Sequence, residues 1–165
     1  MSKEHNEQIK KVVEVLNKAR SMELYAIFQY LNQHYGLDDD DYGKLASEVK
    51  KIAIDEMKHA EAFAERIKDI DGSLEPTTEV DGKVIRGQEV EEIFPFNADS
   101  ENSTMVIYNN FMKICRENND SVSATLFEKI IAEEQKHFNY FDDTATHIKK
   151  LGNSFLARQT GGNAD

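Results

Sequence analysis

A single cysteine, Cys115, in a chain of 165 residues excludes an internal disulfide and any Cys-x-x-Cys redox or metal site. Any metal chemistry must therefore use oxygen and nitrogen donors. Proline is almost as scarce. Both prolines, Pro76 and Pro95, fall in one stretch, leaving long runs on either side that no proline interrupts. No window approaches the roughly eighteen apolar residues of a membrane span, and the opening MSKEHNEQIKK holds no apolar run of signal-peptide length. A cytoplasmic protein with no membrane partner is expected. Basic residues are also in deficit, 20 against 31 acidic, for a net charge of -11. That balance disfavours nucleic acid and anionic membranes as partners and favours cations. What the chain does have is 39% apolar residues, enough for one domain with a real core.

Helix formers fill a segment from about residue 6 to 35, closed by Gly36, and a second from about 40 to 71, closed by Gly72. The short GLDDD between them makes the two antiparallel. Over 72–98 the helical pattern lapses. Pro76, Pro95, VDGK and the alternating KVIRG read there as turns with a little extended structure. Asp99 or Ser100 can cap a third helix reaching about 118, and a fourth runs from about 121 to 151 before Gly152. SFLAR, within 153–159, forms a short fifth helix, and the tail QTGGNAD should fray. A helix of about thirty residues is roughly 45 Å long. Some twenty-five extended residues at about 3.3 Å each can run its whole length, so helices two and three can be parallel. The expected fold is all-α, one domain over 1–165: a four-helix bundle of two antiparallel hairpins joined by one long crossover.

Steps of three and four place one glutamate on each apolar stripe. Helix one gives Leu16, Ala19, Glu23, Ala26 and Tyr30; helix two gives Val49, Ile52, Glu56, His59 and Phe63. Helix three gives Glu101, Met105, Tyr108, Met112 and Cys115, and helix four gives Phe127, Ile130, Glu134, His137 and Phe141. Ionised carboxylates are rarely buried without partners, because desolvation costs several kcal/mol per ion. No lysine or arginine shares their level, so two divalent metals are the natural neutralisers of four carboxylates, and the oxygen and imidazole donors suit iron or manganese. The spacing repeats: Glu23 to Glu56 and Glu101 to Glu134 are both thirty-three residues, each second glutamate opens Glu-x-x-His, and Tyr30 and Tyr108 each follow their glutamate by seven. This pattern resembles the ferritin-like di-iron carboxylate proteins, whose bundles take a Glu from two helices and Glu-x-x-His from the other two. It implies Glu23 and His59 on one metal, Glu101 and His137 on the other, with Glu56 and Glu134 bridging.

Four stretches, MELYAIFQY, IDEMKHAEAFAERI, GQEVEEIF and EKIIAEEQKHF, together resemble bacterioferritin, in register from about residue 12 to 159. The resemblance implies a ferritin-like bundle assembled from two-fold dimers into a hollow shell of 24 subunits. Ferrous iron would be oxidised by dioxygen or peroxide at an intrasubunit di-iron ferroxidase centre and stored inside as ferric mineral. It further implies that Met57 ligates a haem or related iron porphyrin, one per subunit pair, which carries electrons inward from a small redox donor such as a ferredoxin. By residue type alone Met57 is an interface or packing methionine. Being one residue from Glu56, it is turned about 100° away from the bundle interior. Tyr30 matches a tyrosine beside the family's di-iron site. An inner-surface iron site of some members would use Asp55, but Lys51 and Ile52 beside it are not ligands. His34 is a packing or interface histidine, His5 and His147 are peripheral, and Cys115 is a small apolar group. Rubrerythrin-like peroxidases usually add a Cys-x-x-Cys iron domain, and DNA-coating miniature ferritins build their site between subunits; neither fits. A scaffold bundle with a vestigial site differs in holding no iron.

Overall fold

A computed structural model describes residues 3–75 and 84–162. Its helices are α1 (Lys3–Asp39), α2 (Gly43–Asp69), α3 (Val90–Glu117), α4 (Ser121–Leu151) and a short α5 (Asn153–Leu156), with no strand among the described residues. Hairpin α1–α2 packs along its length, as does α3–α4. Pro76 and VDGK lie outside the described residues. The described part of KVIRG is irregular rather than extended.

Two apolar clusters fill the bundle and fix its topology. One takes Leu37 of α1, Val49 and Ala53 of α2, Phe94 and Ala98 of α3, and Phe141 and Ile148 of α4. The other takes Leu16 and Ala19, then Phe63 and Ile67, then Tyr108 and Cys115, then Phe127 and Ile130. Along the chain α1 and α4 run from the second cluster to the first, whereas α2 and α3 run from the first to the second. Helices α2 and α3 are therefore parallel and the crossover between them spans the bundle. The glutamates lie between the clusters in every helix.

The helix ends correct the sequence-based boundaries. Helix α1 does not stop at Gly36, and Gly72 is not the left-handed residue that closes α2. Three helices instead end with an aspartate or asparagine at positive φ: Asp41 (63°), Asp71 (55°) and Asn119 (60°). Each is bracketed by the same pair of backbone bonds, for example Asp71 N–H to Lys68 O at 3.1 Å and Gly72 N–H to Ile67 O at 2.8 Å. Short polar side chains tolerate this conformation, which pairs the last helical carbonyls. Gly72 is needed for another reason: a Cβ there would lie 2.6 Å from Val13 Cγ2 and 2.9 Å from Ile67 O.

Helix α3 begins at Val90 rather than at Asp99, so the connection is shorter than 72–98. A capping box starts it, with Glu92 accepting from the Glu89 N–H at 2.9 Å. Pro95 lies inside the helix, where it removes one hydrogen bond. Burial of Val90, Ile93, Phe94 and Asn97 outweighs that loss. The tail is also partly tied down, since Gly161 N–H donates to Asp41 O at 3.1 Å and Lys44 N–H to Gln159 O at 3.3 Å.

Candidate metal centre

Because α1 and α4 run against α2 and α3, a residue midway along each helix reaches one central level. Glu23, Glu56, His59, Glu101, Glu134 and His137 all lie there and all are buried. Their potential ligand atoms form two sets, Glu23, Glu56, His59 and Glu134, and Glu56, Glu101, Glu134 and His137; within each set the atoms lie within 4.8 Å of one another. Glu56 and Glu134 belong to both sets.

The imidazoles sit between carboxylates. His59 Nδ1 is 2.9 Å from Glu56 Oε2 and 3.1 Å from Glu134 Oε1; His137 Nδ1 is 3.1 Å from Glu134 Oε2 and 3.0 Å from Glu56 Oε1. One Nδ1 proton cannot satisfy two oxygens, and the buried Oε1 atoms of Glu56 and Glu134 are left without a hydrogen bond. Burial disfavours the imidazolium, but hydrogen bonds to Glu134 and Glu56 outweigh it, raising His59 to about 12 and His137 to about 10. Burial, then repulsion by neighbouring carboxylates, raises Glu23 and Glu101 well above the carboxylate range. Glu134 goes the other way. Burial would raise it, yet donation from His137, His59 and Glu101 brings it down to about 2. Without metal, Glu23 and Glu101 hold protons while Glu134 stays ionised beside the two imidazoles. Orphaned oxygens at the two shared positions, with a four-donor set on either side, fit a pair of divalent cations.

Tyrosines brace the two outer glutamates. The Tyr30 hydroxyl donates to Glu101 Oε1, and Tyr108 donates to Glu23 Oε1 at 2.5 Å. The sequence noted the matching position of Tyr108 but gave it no role. Glu133 was missed altogether: its carboxylate lies 2.8 Å from His59 Nε2. The signal was present in the internal repeat, since an acid, Asp55 or Glu133, precedes each Glu-x-x-His. An open cleft of about 470 Å³ between α2 and α4 reaches this edge of the centre, lined by Asp55, Lys58, His59, Lys129, Glu133 and His137.

Other candidate residues belong to neither four-donor set. Met57 is 56% exposed on the outer face of α2. Asp55 is bonded by Lys58 at 2.7 Å; Lys51 pairs with Glu48 and Ile52 is buried. His34 is buried with Nδ1 2.9 Å from Ala46 O, and the His147 ring packs 5.5 Å from Phe155. Cys115 is buried, which raises its thiol to about 12 and keeps it protonated.

A family model for the ferritin-like domain matches residues 13–151. The chain is 57% identical over 151 residues to the bacterioferritin of Desulfovibrio desulfuricans, covering 92% of this chain and 83% of the relative. It is 34% identical to that of Mycolicibacterium paratuberculosis, over 90% and 92% of the two chains. The X-ray structure of the Desulfovibrio desulfuricans bacterioferritin, whose diiron site was studied in different catalytic states, superposes with a TM-score of 0.94 at 50% identity, covering all of this chain and 95% of that one. The Mycobacterium tuberculosis bacterioferritin superposes with a TM-score of 0.85 at 30% identity, over 91% and 94%.

Proposed function

Because the chain belongs to the bacterioferritins, within the ferritin-like family, we propose that it is an iron-storage protein that oxidises ferrous iron at the buried six-residue centre. The observation that carries this reading is the pair of four-donor sets sharing Glu56 and Glu134. Glu23 and His59 hold one ferrous ion, Glu101 and His137 hold the other, and Glu56 and Glu134 bridge them. Two ions held so close can each give one electron to the same molecule of dioxygen or peroxide. The chain's part is to fix the pair, to exclude bulk water with the apolar clusters on both sides, and to take up or release protons at the carboxyls and imidazoles. Tyr30 steadies Glu101 and is placed to supply a proton or an electron.

Around this centre we place the remaining features of the family. The chains assemble through two-fold dimers into a shell of 24 in the cytoplasm, and ferric mineral accumulates inside. The exposed Met57 thioether would hold a haem or related iron porphyrin between two chains, a group that would supply electron transfer from a small donor such as a ferredoxin for the release of stored iron. Adding ferrous iron in small steps to the metal-free, sized assembly under air tests the reading. A fast rise in ferric absorbance that saturates near two irons per chain is expected. Absence of a fast phase on a small oligomer would leave a scaffold bundle.

A further inference from the structure

The fold uses both nitrogens of His59. Nδ1 faces the shared glutamates, whereas Nε2, on the far edge of the ring, meets Glu133 Oε2 at 2.8 Å. Glu133 is not a member of either four-donor set. It lies on α4, one residue before Glu134, and it reaches across the α2–α4 cleft to the histidine of the other motif. The mirror-image contact is weaker: His137 Nε2 is 3.7 Å from Asp55 Oδ2, and Lys58 holds that carboxylate at 2.7 Å.

A neutral imidazole keeps one proton, and it can bind a cation only through the nitrogen that lacks it. An acceptor at Nε2 keeps the proton there, frees Nδ1 for the metal and stops the ring from turning. We infer that Glu133 is a positioning residue for the cation bound at His59, setting its tautomer and ring orientation through Nε2. This rests on the two-metal reading of the centre. At 3.7 Å, and with Lys58 competing for the same carboxylate, Asp55 supports His137 less firmly than Glu133 supports His59. The near-symmetric site is therefore asymmetric in its support.

Its side chain is 38% exposed, so truncation opens no core cavity. The test titrates metal-free assembly with cobalt(II), following visible absorption and bound cobalt by equilibrium dialysis, in wild type, Glu133→Ala and Glu133→Asp. Wild type should take two cobalt ions per chain. Glu133→Ala should keep its metal-free melting temperature but lose about 10- to 100-fold in affinity for one of the two, with that ion's absorption band altered. Glu133→Asp, which retains an acceptor, should recover part of the loss. The inference falls if Glu133→Ala binds both ions with wild-type affinity and spectrum, or if Glu133→Asp recovers nothing. Should wild type itself bind fewer than two ions, the two-metal reading fails independently of Glu133.

Discussion

Glu23 illustrates what a single side chain contributes and costs. It is 2% exposed, held protonated by burial and its neighbours, and bonded by a tyrosine that has a second acceptor, Ala19 O at 3.2 Å. In metal-free protein Glu23 is a desolvated carboxyl crowded by other carboxyls, and an apolar side chain of similar volume removes both the desolvation cost and that repulsion. Glu23→Leu should accordingly raise the denaturation midpoint of metal-free protein while lowering metal uptake below two per chain. Protons supply a second prediction. At pH 7 His59 and His137, raised to about 12 and about 10, each carry a proton that a metal must displace, and Glu23 and Glu101 hold carboxyl protons. Loading two divalent ions should therefore release up to about four protons per chain, measurable in a weakly buffered titration, and affinity should climb as pH rises. Release of none would mean that the metals bind elsewhere.

Among the elements, the α3–α4 junction shows how a helix end is secured. Asp120 caps α4 through the Ser123 N–H at 2.9 Å and receives Arg66 of α2 at 2.9 Å, joining the two hairpins. Burial raises the Asp120 carboxyl, but donation from Ser123 and Arg66 prevails and lowers it below the usual range. A lowered folded pKa gives stability that is complete above the unfolded value of about 3.9 and fades as pH falls through the folded one. The denaturant-midpoint gap between wild type and Asp120→Asn should thus stay constant from neutral to about pH 5 and shrink below about pH 4. The same elements mark how far the sequence could be read. Helix number, order and direction were legible, because periodic apolar residues and turn signals are local. Ends were read less well: left-handed Asp41, Asp71 and Asn119 leave no glycine signal, and Pro95 is tolerated only because the residues around it are buried.

At the scale of the whole molecule, a polar layer divides the core into two apolar clusters, and the six candidate ligands of that layer come from all four long helices. Met57, Phe28 and Tyr35 remain exposed on the outer surface at 56%, 62% and 66%. If Met57 binds porphyrin between two chains, Met57→Leu should abolish the porphyrin absorption of the assembly while leaving the saturation of fast iron oxidation near two per chain. Unchanged porphyrin spectra would reject that role. The sequence by itself determined the all-helical fold and which six polar side chains meet at the central layer, since a period of 3.6 residues fixes the face of each glutamate and an internal repeat fixes its level. Only the tertiary structure decided that Tyr108 braces Glu23 and that Glu133 crosses from α4 to His59. Those contacts join residues distant in sequence, and the distance between two packed helices is a property of the fold, not of either helix alone.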